Sequence, residues 1–136
     1  MEFRNVVRLT ICTGEDVFVD NEPLYKFLPK KIEEMGLAGV TVLKAEFGYA
    51  NTHRGVGSAL GRFFSGKADK PIFVEVVDTR ENIEKILPFL EKNAHSALVT
   101  VRKTTILVTD YMRRKEAEQM KQQENCGPQM QIQQQQ

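Results

Sequence analysis

The chain has few of the residues that would announce a chemistry. Only two cysteines, Cys12 and Cys126, occur in 136 residues, too few for a disulfide framework. Only two histidines occur, His53 and His95, and neither has Cys, His or carboxylate neighbours at metal-ligand spacing. There is no excess of charge: 19 Lys and Arg stand against 18 Asp and Glu, a formal net charge of +1. That balance gives no global electrostatic reason to expect nucleic acid or an anionic membrane as a partner. No apolar run approaches the ~20 residues a membrane-spanning helix needs, and the mean hydropathy is -0.36, so the chain is not expected to be membrane-embedded. The first residues, Met1-Glu2-Phe3-Arg4-Asn5, lack a sustained apolar stretch, so no signal peptide is predicted and the cytoplasm is the expected location.

With 41% hydrophobic and 27% charged residues, the chain can bury the core of one ordinary domain. Glutamine marks where that domain stops. All nine Gln lie between Gln119 and Gln136. Beyond Tyr111 the apolar residues thin out, so the folded domain is expected over 1–110. Residues 111–136 read as a tail, first a charged helix to about 124 and then a disordered Gln-rich end.

Within the domain, hydrophobic periodicity separates strands from helices. Residues 3–12 alternate as a strand, with Phe3, Val7, Leu9 and Ile11 on one parity. Cys12 falls next to Ile11 and reads as a core thiol. Leu24, Leu28, Ile32 and Met35 follow at helical spacing, with Asn21 as N-cap and Gly36 as C-terminal stop. Residues 39–48 and 71–77 read as two further strands. After the third strand a second helix is predicted, capped by Asp78 with Glu81 and carrying Ile83, Ile86, Leu87 and Leu90. Pro29 and Pro88 should disturb the two helices. Residues 97–109 read as the last strand. The order is βαββαβ, an α+β, ferredoxin-like arrangement: a four-stranded antiparallel sheet with both helices on one face.

Such a sheet should be polar on its second face. Here Val40 and Val42 oppose Leu43, Ala45 and Phe47, while Phe73 and Val77 oppose Ile72, Val74 and Val76. Leu98, Ile106 and Val108 likewise oppose Val99, Val101 and Leu107. Both faces are apolar, and self-association, sheet against sheet, is the economical cover. The other possibility is a partly exposed apolar sheet.

The connection at 48–68 is long for a hairpin and holds five of the nine glycines. No acid occurs between Glu46 and Asp69, while Arg54, Arg62 and Lys67 fall inside. Glycine-freed backbone N–H groups beside cationic side chains suit a phosphate or a carboxylate. The candidate anion- or nucleotide-binding residues are Arg54, Gly55, Gly57, Arg62, Gly66, Lys67 and Lys70. The Phe63-Phe64 pair suits either a fold-back over the core or a partner contact. The same stretch is equally compatible with a solvated loop. No Ser-His-Asp or Cys-His set can be assembled, so no catalytic residue is expected. His95 reads as a helix-terminal residue, Glu75 as one charge on a sheet.

Several segments together resemble a known family. They are Gly36-Leu37-Ala38-Gly39-Val40-Thr41-Val42-Leu43, the stretch after Gly48, and Pro71-Ile72-Phe73-Val74-Glu75-Val76-Val77-Asp78, with Glu15-Asp16 and Pro23-Leu24-Tyr25. The pattern is similar to the uncharacterised PII-like family known as domain of unknown function 190, over about residues 5–108. The resemblance implies ferredoxin-like subunits in a homotrimer, with small effectors, an adenine nucleotide among them, in clefts between subunits. It also implies a signalling role in which loop 48–68 meets a protein partner. The chain departs from the family at Ala45, where a glycine is usual, and its Gly66-Lys67-Ala68-Asp69-Lys70 stretch holds one glycine and an acid. Two other functions fit the same fold. One is an acylphosphatase-like hydrolase, disfavoured because Glu15 and Asp16 would repel phosphate; the other is a structural oligomer without a ligand.

Overall fold

Strand β1 (Glu2–Gly14) follows from the alternation of its apolar side chains: Val7, Leu9 and Ile11 are buried, with the polar Arg8 and Thr10 between them. It belongs to a computed structural model that describes residues 1–46 and 71–134, with the side chains of the last helix described to residue 126.

After β1 the chain makes a small hairpin, β2 (Phe18–Val19) paired with β3 (Glu22–Pro23). Its two turn residues, Asp20 and Asn21, have φ of 50° and 65°. Two successive left-handed residues are what a type I′ hairpin turn demands, and Asp and Asn tolerate that region best after glycine. Asn21 is therefore a turn residue and not the expected helix N-cap. Helix α1 (Leu24–Glu34) begins after Pro23, and the Leu24 N–H donates to the Val17 carbonyl at 2.7 Å.

Leu24, Leu28 and Ile32 form the buried stripe of α1, and the helix passes through Pro29 without ending. It stops where expected. Gly36 has φ of 79°, its N–H donates to the Glu33 carbonyl at 3.0 Å, and the Leu37 N–H donates to the Ile32 carbonyl at 3.2 Å. Those two bonds are the Schellman arrangement, which needs a left-handed residue at that position. Strand β4 (Thr41–Lys44) is shorter than the expected 39–48; Ala45 and Glu46 lie beyond it, and Phe47 and Gly48 fall outside the described residues.

Strand β5 (Pro71–Asp78) leads into helix α2 (Arg80–Asn93), which buries Ile83, Ile86 and Leu90. Its N-cap is Thr79, whose hydroxyl accepts the Asn82 N–H at 3.3 Å. The expected cap, Asp78, is displaced by one residue because its carboxylate is already used. It accepts the backbone N–H of Ala38 at 2.7 Å and of Thr79 at 2.6 Å, and the Asn82 side chain at 2.9 Å. Asp78 thus ties the turn after α1 to the end of β5. Helix α2 also runs through its proline, Pro88. Strand β6 (Leu98–Val108) closes the sheet, and helix α3 (Asp110–Gln134) follows, its first turn capped by the Thr109 hydroxyl, which accepts the Met112 N–H at 3.2 Å.

The four long strands form one antiparallel sheet in the order β4-β5-β1-β6. Leu9 lies opposite Val76 and Ile11 opposite Val74. These four side chains share one buried cluster with Leu24, Leu28 and Ile32 of α1 and Ile83, Ile86 and Leu90 of α2. Both helices therefore cover the same sheet face, as the βαββαβ order requires.

The chain divides into two compact units. Residues 5–104 contain that core. Residues 1–4 with 105–136 form the other unit, in which Arg4 pairs with Glu116 at 2.7 Å and Arg113 pairs with Glu2 at 3.5 Å. Arg113 also donates to the Val108 carbonyl at 3.3 Å.

Candidate functional site

Three features of residues 5–104 bear on function: the stem of the 47–70 segment, the side chains gathered beside it, and the sheet face opposite α1 and α2. The stem is closed by backbone. The Ala45 N–H donates to the Pro71 carbonyl at 2.8 Å, one residue past the β4–β5 ladder, and Gly14 lies opposite Pro71. The described residues that flank 47–70 therefore stand at the end of the sheet where β1 turns towards the β2–β3 hairpin.

Lys44, the last residue of β4, stands at this end. Its ammonium lies 3.4 Å from the Glu15 carboxylate and 5.1 Å from the centre of the Tyr25 ring. Electrostatic interaction with Tyr25, and after it hydrogen bonding and charge from Glu15, holds the Lys44 ammonium above the usual lysine value. Three elements meet here: the turn after β1, the first turn of α1 and the end of β4. Thr13, opposite Ile72 in the ladder, is buried, and its hydroxyl makes no hydrogen bond among the described residues.

The seven anion-binding candidates, Arg54, Gly55, Gly57, Arg62, Gly66, Lys67 and Lys70, lie outside the described residues, as do His53, Phe63 and Phe64. His95 is exposed just beyond the end of α2. No group of three or more His, Cys, Asp or Glu side chains is placed to hold a metal among the described residues. No helix among them is long and apolar enough to cross a membrane. The Lys44–Tyr25–Glu15 grouping has no motif in the sequence. Its only sequence signal was a lysine closing an apolar strand, and the partners lie 19 and 29 positions away.

The open face is as apolar as its alternation predicts. Leu43 and Phe73 lie opposite each other across β4 and β5 and are 55% and 37% exposed; Val77 is 38% exposed and Leu98 49%. Cys12 belongs to this face and not to the core, because it lies opposite Phe73 in the β1–β5 ladder while Ile11 points to the helices. It is half-buried. In the middle of the face, Arg8 and Glu75 form an ion pair at 2.7 Å.

This sheet order, with α1 and α2 on one face and a 47–70 connection between the neighbouring strands β4 and β5, defines a class. The fold is that of the PII-like proteins, and the chain belongs to the DUF190 family, described as an uncharacterised ACR family, whose model matches residues 6–106. A UPF0166 protein of Aquifex aeolicus is 31% identical over 99 residues, which is 73% of this chain and 90% of that one. A UPF0166 protein of Methanocaldococcus jannaschii is 35% identical over 71 residues, covering 52% of this chain and 62% of the other. Among solved structures, a protein of Thermus thermophilus described as PII-like signalling matches with a TM-score of 0.54 at 18% identity, over 79% of this chain and 94% of its own. CPII from Thiomonas intermedia, solved with ADP, AMP and acetate, matches with a TM-score of 0.50 at 17% identity, again over 79% and 94%. At these identities the structures define the fold. None of these descriptions names a reaction.

Proposed function

We propose that the protein is a PII-like signalling protein of the cytoplasm. In this reading it assembles as a homotrimer and binds a small anionic effector in clefts between subunits. It presents residues 48–68 to a protein partner. The observation that carries the reading is the sheet face opposite α1 and α2, where Leu43, Phe73, Val77 and Leu98 stand exposed. A second layer is what such a sheet needs.

Charge points to the effector class. Arg54, Arg62, Lys67 and Lys70 fall in a glycine-rich stretch with Asp69 as its one acid, and Gly55, Gly57 and Gly66 free the backbone to donate. The stem of that stretch stands beside Lys44, whose positive charge is retained through the neutral range. An adenine nucleotide is the first effector to test, because CPII holds ADP and AMP. The role is binding, not catalysis. Acylphosphatase-type chemistry needs a phosphate cradle, and an acidic Glu15-Asp16 turn beside the stem opposes one.

The test is a thermal shift of the full chain against ATP, ADP, AMP, inorganic phosphate and acetate. A true effector at ~100 times its Kd stabilises by about 2.7 kcal/mol. The Arg54→Ala and Arg62→Ala variants should lose ~1–3 kcal/mol of that binding while keeping the oligomer, as charge-assisted hydrogen bonds would. If no compound moves Tm at millimolar concentration, the effector reading fails.

A further inference from the structure

Lys44 and Thr13 both lie opposite Ile72, one on each side of β5. Directly opposed side chains share a face of the sheet. Ile72 and Thr13 are fully buried, so this row faces the core that α1 covers. Lys44 ends the row at the sheet's edge, and its long side chain carries the ammonium to the first turn of α1, 5.1 Å from the Tyr25 ring. Lys26, in that same turn, has its ammonium 5.8 Å from the same ring.

This is an uncomfortable place for two lysines. The first turn of a helix is its positive end and favours acids. Helix α1 has no acid in its first turn and no side-chain cap. Glu15 answers the charge, but loosely. It stands 3.4 Å from Lys44, and the two side chains are 43% and 52% exposed. Elsewhere in residues 5–104, Lys30 meets Glu22 at 2.6 Å and Arg8 meets Glu75 at 2.7 Å. A long, half-exposed pair contributes little and exchanges readily.

We infer that Glu15 is a built-in competitor for Lys44: it occupies the ammonium in the effector-free protein, and a phosphate group of the effector takes its place. The inference rests on the effector reading above and adds how binding is held in check. A phosphate group carries more charge than one carboxylate and presents several acceptor oxygens, so it can draw Lys44 closer than Glu15 does. Glu15 sets a threshold that the incoming anion must exceed. Its release also frees the turn after β1 from the end of β4, so the exchange couples the site to the base of the 47–70 connection.

The test is isothermal titration calorimetry of the full chain with ADP and, separately, with inorganic phosphate. It compares the wild type, Glu15→Gln, Lys44→Met and the double variant, with circular dichroism to confirm folding. Glu15→Gln should bind ADP ~2–5-fold more tightly, the scale of one exposed ion pair released. Lys44→Met should bind at least ~10-fold more weakly, as loss of a charge-assisted hydrogen bond requires. The double variant should bind as Lys44→Met does. Inorganic phosphate following the same order shows that the phosphate group itself is read; ADP alone following it shows that the group is read as part of a nucleotide. A wild type that binds ADP, with Glu15→Gln no tighter or Lys44→Met no weaker, overturns this inference and leaves the effector reading standing. A gain from Glu15→Gln that persists in the Lys44→Met background also overturns it, since Glu15 would then act by general repulsion and not by holding Lys44. Binding to Glu15→Gln alone supports it. No binding of either compound to the wild type or to Glu15→Gln overturns the effector reading, and this inference with it.

Discussion

Arg4 and Glu116 stand 112 positions apart in the sequence and meet in a two-pronged ion pair, Nη1 to Oε1 at 2.7 Å and Nη2 to Oε2 at 3.3 Å. The pair ties the first residues of the chain to helix α3. Hydrogen bonding to Arg4, with its charge, holds the Glu116 carboxyl below the usual carboxylate range, and Glu116 in turn raises Arg4. A carboxyl whose folded value is depressed contributes stability above the ordinary carboxylate pKa of ~4.3 and loses it as the pH falls through the depressed value. The helix should therefore hold its contact with Arg4 at neutral pH and release it in acid. An NMR titration should find Glu116 below free glutamate, and Arg4→Gln should return it to the ordinary range. Both side chains are largely in water, so the loss should lower Tm only slightly.

Gly36→Ala tests the end of α1. Nothing stands within 4 Å of an added Cβ there, so the cost is conformational and not steric. A left-handed alanine costs about 1 kcal/mol, and denaturant unfolding should show that loss with the m-value unchanged.

Asp78→Ala removes the acceptor for Ala38, Thr79 and Asn82 at a position only 8% exposed. Leaving those donors unsatisfied should cost about 2–3 kcal/mol. Hydrogen exchange at the Ala38 amide should quicken by more than global unfolding explains.

Ile86→Ala removes a fully buried side chain from the helix-side core. The expected loss is ~2–5 kcal/mol, set by how far α1, α2 and the sheet can close on the gap. Phe73→Asp lies on the other face of the same sheet. It should leave unfolding of the domain nearly unaltered at low concentration and dissociate the homotrimer proposed above, a contrast that size-exclusion chromatography at matched concentrations reads directly.

The core and the order of elements were legible in the sequence because each rests on a repeating pattern. Leu24, Leu28 and Ile32 repeat at helical spacing, and Leu9 and Ile11 alternate with polar residues, so both periods survive any local irregularity. Gly36 was legible because few residues other than glycine accept its φ. What escaped depends on competition for one residue. Asn21 is a good N-cap and a good turn residue; the Asp20-Asn21 pair chose the turn. Asp78 could cap α2, but an amide from the turn after α1 claimed it, and Thr79 took the cap. Cys12 is next to Ile11 in sequence, but strict alternation puts it on the opposite face beside Phe73. The Lys44–Tyr25–Glu15 grouping joins three elements, and only the folded chain brings them together.

The most direct test of the account is the native mass of the full chain, in the presence of ADP, at micromolar concentration. The account predicts a species of three 15.5 kDa chains that retains nucleotide. A single 15.5 kDa chain with no nucleotide, over the same concentration range, would contradict it.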